Sequence, residues 1–191
     1  MSFVRTQLRP AIVVLAILTL ITGFLYPGVV TAVAQVAFPS QANGSFIVVD
    51  GKTVGSSLIG QAFDDPKYLW GRPSAAGKGY DGTASAGSNL GPTNKDLIDR
   101  ISASVDAMRA ANGGGPVPVD LVTTSGSGLD PDVSPAAAEY QVARIATARG
   151  MTLDAVRAAI ARHTEQPALG FLGAARVHVL AVNLDLDGLL Q

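Results

Sequence analysis

The sequence predicts a single N-terminal transmembrane helix plus one mixed α/β (α+β) soluble domain. Three observations predict it. An apolar, charge-free run extends from Ala11 to about Val33, two short apolar stretches are joined by Asp50-Gly51, and three later segments carry helical apolar spacing between recognisable caps. The implied divisions are a cytoplasmic tail at 1–10, a transmembrane helix at 11–34, a linker at 35–45 and an extracytoplasmic soluble domain at 46–191.

From Pro10 to Val49 there is no Asp, Glu, Lys or Arg, although 15% of the whole chain is charged. At a helical rise of 1.5 Å per residue the run from Ala11 to Val33 reaches roughly 34 Å, enough to cross a hydrocarbon core with some tilt. Its apolar residues surround the helix without a polar face, which suits lipid or a very large core, and a chain of 191 residues builds no such core. Thr19, Thr22 and Gly23 make a patch of small residues that a neighbouring helix can approach closely. Pro27, within Tyr26-Pro27-Gly28, donates no backbone hydrogen bond and predicts a kink, which partner helices would help to accommodate. Thr22, Gly23, Tyr26 and Pro27 are therefore the expected contacts with partner helices. Arg5 and Arg9 precede the run, so the positive-inside rule holds the short tail in the cytoplasm and sends the remainder outward. Ala32-Val33-Ala34 also fits a signal-peptidase site, but secretory apolar regions run about 7–15 residues and this one is longer, which favours a retained anchor.

Beyond a polar link at Pro39–Ser45, Phe46–Val49 and Lys52–Val54 predict a β-hairpin, with Asp50-Gly51 supplying the positive φ angles of a type I′ turn. Residues 60–92 are rich in Gly, Pro, Ser and Asn with Tyr68, Trp70 and Tyr80 interspersed; so long an irregular segment in a compact domain suggests a functional or partner-contacting role. Thr93 or Asn94 caps a helix running to about Ala111, with Leu97, Ile98, Ile101, Val105 and Met108 on one face, Asp96 and Arg100 as an i,i+4 pair, and Asn112-Gly113 as its stop. Val117–Thr123 reads as a strand. Ser134-Pro135 opens a second helix that Gly150 ends, and Thr152 caps a third over 153–163. Arg176–Leu184 reads as a late strand, since Val177, Val179 and Val182 sit near alternation.

Composition narrows the chemistry. A net charge of −1 gives no general attraction to nucleic acid, and the lack of cysteine excludes disulfides, thiolate metal sites and a cysteine nucleophile. Gly51-Lys52-Thr53 resembles the end of a phosphate-binding loop, but Phe46 stands where the first glycine is needed and a hairpin, not a helix, follows. The run Thr123-Thr124-Ser125-Gly126-Ser127-Gly128-Leu129-Asp130-Pro131 offers backbone N–H groups and hydroxyls suited to an anion, which makes Ser125, Gly126, Ser127 and Gly128 a candidate nucleotide-associated loop; without a lysine or a full dinucleotide fingerprint a strand-to-helix loop is the simpler reading. Residues 136–163 could pass for a helix-turn-helix with Arg157, Arg162 and His163 on its second helix, but a packing motif fits the charge better. The histidines are His163 and His178. Neither stands at zinc-site spacing, His178 points to solvent or to a satisfied hydrogen bond, and no metal site, catalytic residue or nucleophile elbow is nominated.

Taken in order, Arg9-Pro10, Thr22-Gly23-Phe24-Leu25-Tyr26-Pro27, Val54-Gly55-Ser56-Ser57-Leu58-Ile59-Gly60-Gln61, Trp70-Gly71-Arg72-Pro73-Ser74, Ser88-Asn89-Leu90-Gly91-Pro92-Thr93-Asn94, Ser125-Gly126-Ser127-Gly128-Leu129-Asp130-Pro131 and Val182-Asn183-Leu184 resemble the C-subunit family of the Kdp potassium-transporting ATPases, over nearly the whole chain. The resemblance implies an accessory subunit, non-catalytic on its own, of an ATP-driven complex that imports K⁺ across the bacterial inner membrane. The implied partners are a channel-like potassium-binding subunit, a P-type ATPase subunit, a small single-helix subunit and the lipid bilayer, with no nucleic acid. The resemblance also implies a stabilising role in assembly and a catalytic-chaperone role that raises the ATPase subunit's affinity for ATP; no firmly bound cofactor is implied, ATP enters through the complex, and K⁺ is the transported ion. The orientation given by Arg5 and Arg9 places the Ser125–Asp130 loop away from cytoplasmic ATP, which favours a structural role at the outer face and an indirect effect on nucleotide. A membrane-anchored extracytoplasmic module that binds a small ligand through residues 60–92 is the alternative, and an anchored hydrolase, lacking a nucleophile–base pair, ranks below both.

Overall fold

In the computed structural model, which describes residues 2–190 and side chains from residue 6 onward, the chain divides into two compact units, Met1–Phe46 and Ile47–Gln191. The first unit is helical: α1 (Ser2–Leu20), a π-helical turn (Ile21–Leu25), α2 (Tyr26–Ala37) and a short α3 (Pro39–Ala42). Thr6–Ala37 is long and apolar enough to cross a membrane, and none of its most apolar window is buried. Such a surface is stable only against lipid or other helices. Arg5 lies in α1, its side chain outside the described residues. The departure from α geometry comes one turn before Pro27 rather than at Tyr26-Pro27-Gly28. The reason is local: the proline ring crowds the carbonyl four residues back and offers no donor to it, and the wider π turn takes up the mismatch. The predicted polar link is folded rather than extended. Pro39 opens α3, and Asn43 and Gln35 exchange amide hydrogen bonds of 3.1 and 3.2 Å.

The second unit carries the α+β architecture. β1 (Phe46–Val49), which begins at the boundary residue, and β2 (Lys52–Ser56) form the expected hairpin, with Asp50 and Gly51 at φ 50° and 76°. α4 (Lys95–Asn112) is capped by the Asn94 side chain, which accepts from the Asp96 N–H, and ends on Gly113 at φ 82°. Its i,i+4 ion pair is Lys95–Asp99 rather than Asp96–Arg100. β3 (Asp132–Val133), β4 (Thr164–Glu165) and β5 (Arg176–His178) make a small antiparallel sheet in the order β3-β5-β4. α5 (Pro135–Arg149) and α6 (Leu153–Arg162) begin on Ser134 and Thr152, whose side chains accept from the Ala137 and Ala155 N–H groups. Asp120 fixes the entry to α5 by accepting from the Ser134 N–H at 2.7 Å and its hydroxyl at 3.2 Å. The core gathers round α5, where Val142 and Ile145 are buried with Val156, Val177 and Val182. Each such side chain contributes about 1.5–3 kcal/mol by leaving water.

Two predicted strands are corrected. Val117–Thr123 contains a 3₁₀ turn at Val119–Leu121, for which Pro118 sets the entry. The late segment is a strand only as far as His178, and Val179–Leu186 is helix α7. Val179, Leu180, Val182, Asn183 and Leu184 are all buried, so this short helix lacks the polar face by which spacing separates helix from strand.

Candidate functional site in the loop cluster of the second unit

Residues 60–92 form almost no regular secondary structure, yet side-chain amides from two helices hold them. Asn183 of α7 accepts from the Leu69 N–H at 2.7 Å and donates to the Leu69 carbonyl at 2.9 Å. Gln141 of α5 treats Trp70 in the same way, at 2.9 and 3.1 Å. Both amides are buried, at 0% and 1% exposure for Gln141 and Asn183, and each satisfies the next residue of an extended stretch as a neighbouring strand would. Arg144, one turn beyond Gln141, lies over the Trp70 ring at 3.7 Å. Its guanidinium donates to Asn112 Oδ1 at 3.0 Å, to Gln141 Oε1 at 2.6 Å and to the Pro66 and Tyr68 carbonyls at 2.5 and 3.0 Å. Burial pulls its pKa down to about 10, so it remains a cation at neutral pH. Sequence reading missed Gln141 and Arg144 because both look like ordinary polar residues on the outside of a helix.

The pinned segment meets the Ser125–Asp130 loop. Arg72 donates to Asp130 Oδ2 at 3.0 Å and to the Thr124 carbonyl at 3.3 Å. Ser74 Oγ donates to the Gly128 carbonyl at 2.5 Å and accepts from the Tyr80 N–H at 2.7 Å, while the Tyr80 hydroxyl donates to the Arg72 carbonyl at 2.5 Å. Burial, with the Asp130 charge adding to it, pushes the Tyr80 phenol up to about 12. Of the loop residues singled out from the sequence, Ser125 and Gly128 are buried, whereas Gly126 and Ser127 are exposed. The loop's hydroxyls serve the loop itself: the Gly128 N–H donates to Ser125 Oγ at 2.9 Å and the Leu129 N–H to Ser127 Oγ at 3.1 Å. Two N–H groups of the expected anion cradle are thus already occupied. Thr22, Gly23, Tyr26 and Pro27, in the other unit, are all exposed.

Beside this junction lies a cleft of about 260 Å³ lined by Phe63, Trp70, Arg72, Tyr80, Met108 and Leu121 among others. The two histidines have structural partners. His163 Nε2 lies 2.9 Å from Asp185 Oδ2, which also pairs with Arg162 at 2.8 Å. His178 Nδ1 accepts from the Ala181 N–H at 3.1 Å and so caps α7; its Nε2 therefore carries the proton and donates to the Ser57 carbonyl at 2.8 Å. Arg157 pairs with Glu139 and Asp154, leaving the α5–α6 corner no run of free cations. Among the described residues no cluster of His, Asp and Glu suits a metal ion.

The folded environment of Asp132 opposes its charge. Burial raises its pKa, Arg176 at 3.1 Å only partly offsets that, and its Oδ1 is buried without a hydrogen-bond partner. A carboxyl with a raised folded pKa contributes stability below the unfolded value, and that contribution is lost as pH rises through the folded value. Asp132→Asn is therefore expected to gain on wild type between pH 4 and pH 7 in urea unfolding of the full chain. An equal difference at the two pH values would refute the assignment.

Comparison with known proteins agrees along the chain. The family model described as the K⁺-transporting ATPase c chain, KdpC, matches residues 8–188. A relative from Sorangium cellulosum, described as a potassium-transporting ATPase KdpC subunit, is 60% identical over 185 residues, covering 95% of this chain and 97% of its own. Proteins of the same description from Polaromonas naphthalenivorans and Methylococcus capsulatus are 59% and 55% identical, covering 97% and 95% of this chain and 96% and 97% of theirs.

Proposed function

From the premise that this chain belongs to the KdpC family, the c chains of K⁺-transporting ATPases, we propose that it is a non-catalytic accessory subunit that stabilises an ATP-driven potassium-import complex. The observation that carries this reading is the Thr6–Ala37 helix, apolar and uncovered, whose surface asks for lipid and partner helices together. In this reading Thr22, Gly23, Tyr26 and Pro27 face those helices, which belong to the channel-like potassium-binding subunit, the P-type ATPase subunit and the small single-helix subunit. Residues 1–10 are the cytoplasmic tail, 11–34 span the inner membrane, 35–45 link, and 46–191 stand outside.

The rise in ATP affinity is then an indirect effect of assembly on the ATPase subunit. Two features support this: the outward orientation that Arg9 and Arg5 imply, and the internal hydrogen bonding of Ser125–Gly128. The chain has no cysteine, so single replacements report topology cleanly. Ser102→Cys is expected to react with an impermeant maleimide on intact spheroplasts, and Ser2→Cys only after lysis; the reverse pattern would overturn the orientation. A tag on the C-terminus should copurify the companion subunits from detergent-solubilised membranes, whereas recovery of a stable lone monomer would overturn the subunit role.

The cleft beside Trp70 favours a second reading, a binding module for a small apolar ligand. It requires a ligand-dependent rise in the melting temperature of the purified full chain.

A further inference from the structure

The turn before Pro27 draws the helical donor away from the Thr22 carbonyl. The Tyr26 N–H reaches back five residues to the Ile21 carbonyl, so it is turned away from Thr22, the acceptor four residues back. The nitrogen five residues beyond Thr22 belongs to Pro27 and carries no hydrogen. The Thr22 hydroxyl gives no help, because it donates to the Leu18 carbonyl at 2.7 Å. The next residue is Gly23, where an added Cβ would meet nothing nearer than Thr19 Cγ2 at 3.9 Å. Water does not fill the hydrocarbon core, so a bare carbonyl there is costly until some donor reaches it.

We infer that the Thr22 carbonyl receives a hydrogen bond from a side chain on a companion subunit's membrane helix. The inference rests on the reading of residues 22–27 as the partner-facing part of the anchor, and it specifies the chemistry of the contact. The donor is a hydroxyl, carboxamide or indole N–H that approaches over Gly23. Packing of small residues alone would make this surface a contact without direction; the open acceptor adds a directional element at a fixed height on the helix. A companion subunit is favoured as the source because the family is one lettered chain of a transporting ATPase.

The test is isotope-edited infrared spectroscopy of the full chain carrying a ¹³C=¹⁸O label at Thr22, in lipid bilayers, alone and assembled with its companion subunits. The labelled amide I band is expected at the free-carbonyl position in the lone chain and shifted to lower wavenumber in the complex. Pro27→Ala, which restores the missing N–H, is expected to show the lower position in both states and so to lose the assembly-dependent shift. An intact complex with an unshifted wild-type band would overturn the inference while leaving the subunit role standing. A band already low in the lone chain, through water or self-association, would also overturn it. Failure to assemble with any companion would remove the subunit role and this contact together.

Discussion

Arg144→Met is expected to lower the stability of the second unit by about 3–5 kcal/mol, because it removes one buried guanidinium from four acceptors at once. The Pro66 and Tyr68 carbonyls and Asn112 Oδ1 each lose the hydrogen bond that the guanidinium supplies, and Trp70 loses the cation stacked on its ring. Gln141 Oε1 keeps the Trp70 N–H, so the extended stretch is loosened at one end rather than released. A loss of that size corresponds to a melting temperature lower by roughly 10 °C for a unit of this length. Trp70 is the chain's single tryptophan, so its fluorescence reports the event directly. Arg144→Lys is expected to recover only a minor part, since an ammonium cannot reproduce the planar fork that reaches Asn112, Gln141 and two carbonyls. A fall below about 2 °C for Arg144→Met would show that water replaces the guanidinium without cost.

Gly128→Ala is expected to prevent accumulation of folded protein, whereas Gly126→Ala, two residues earlier, is expected to be silent. At Gly128 the backbone has φ 68°, and a Cβ would stand 2.5 Å from the Ala86 carbonyl oxygen and 2.6 Å from the Ala76 nitrogen. Both neighbours are backbone, so neither can rotate away. The overlap with the strained φ costs on the order of 3 kcal/mol or more. At Gly126 nothing lies within 4 Å and the φ is not positive. Quantifying membrane-fraction protein and its melting temperature for the two variants separates them. Equal behaviour would mean that the loop is not packed against residues 75–86 as described.

The contrast between those glycines also shows where sequence reading ends. Ser125-Gly126-Ser127-Gly128 looks in sequence like a flexible run or an anion cradle, because composition records which groups exist but not what they face. Only the fold brings Ser74, Ala76 and Ala86 against it and turns its own hydroxyls onto its N–H groups. The same holds for residues 60–92. Their irregularity was legible, but their order comes from Gln141 and Asn183, which lie 71 and 114 residues away along the chain.

What the sequence determined by itself is whatever short-range chemistry decides. The charge-free span cannot rest in water, Asp50-Gly51 selects a hairpin turn, and Asn94, Ser134 and Thr152 start helices by side-chain caps within three residues. What the tertiary structure decided is whatever depends on a distant partner. Val179–Leu186 is a helix whose start His178 caps, and the burial of five of its residues hides the periodicity that would have marked it. The fixed loop cluster likewise follows from how backbone acceptors find donors, a constraint that acts through space and leaves little trace in residue order.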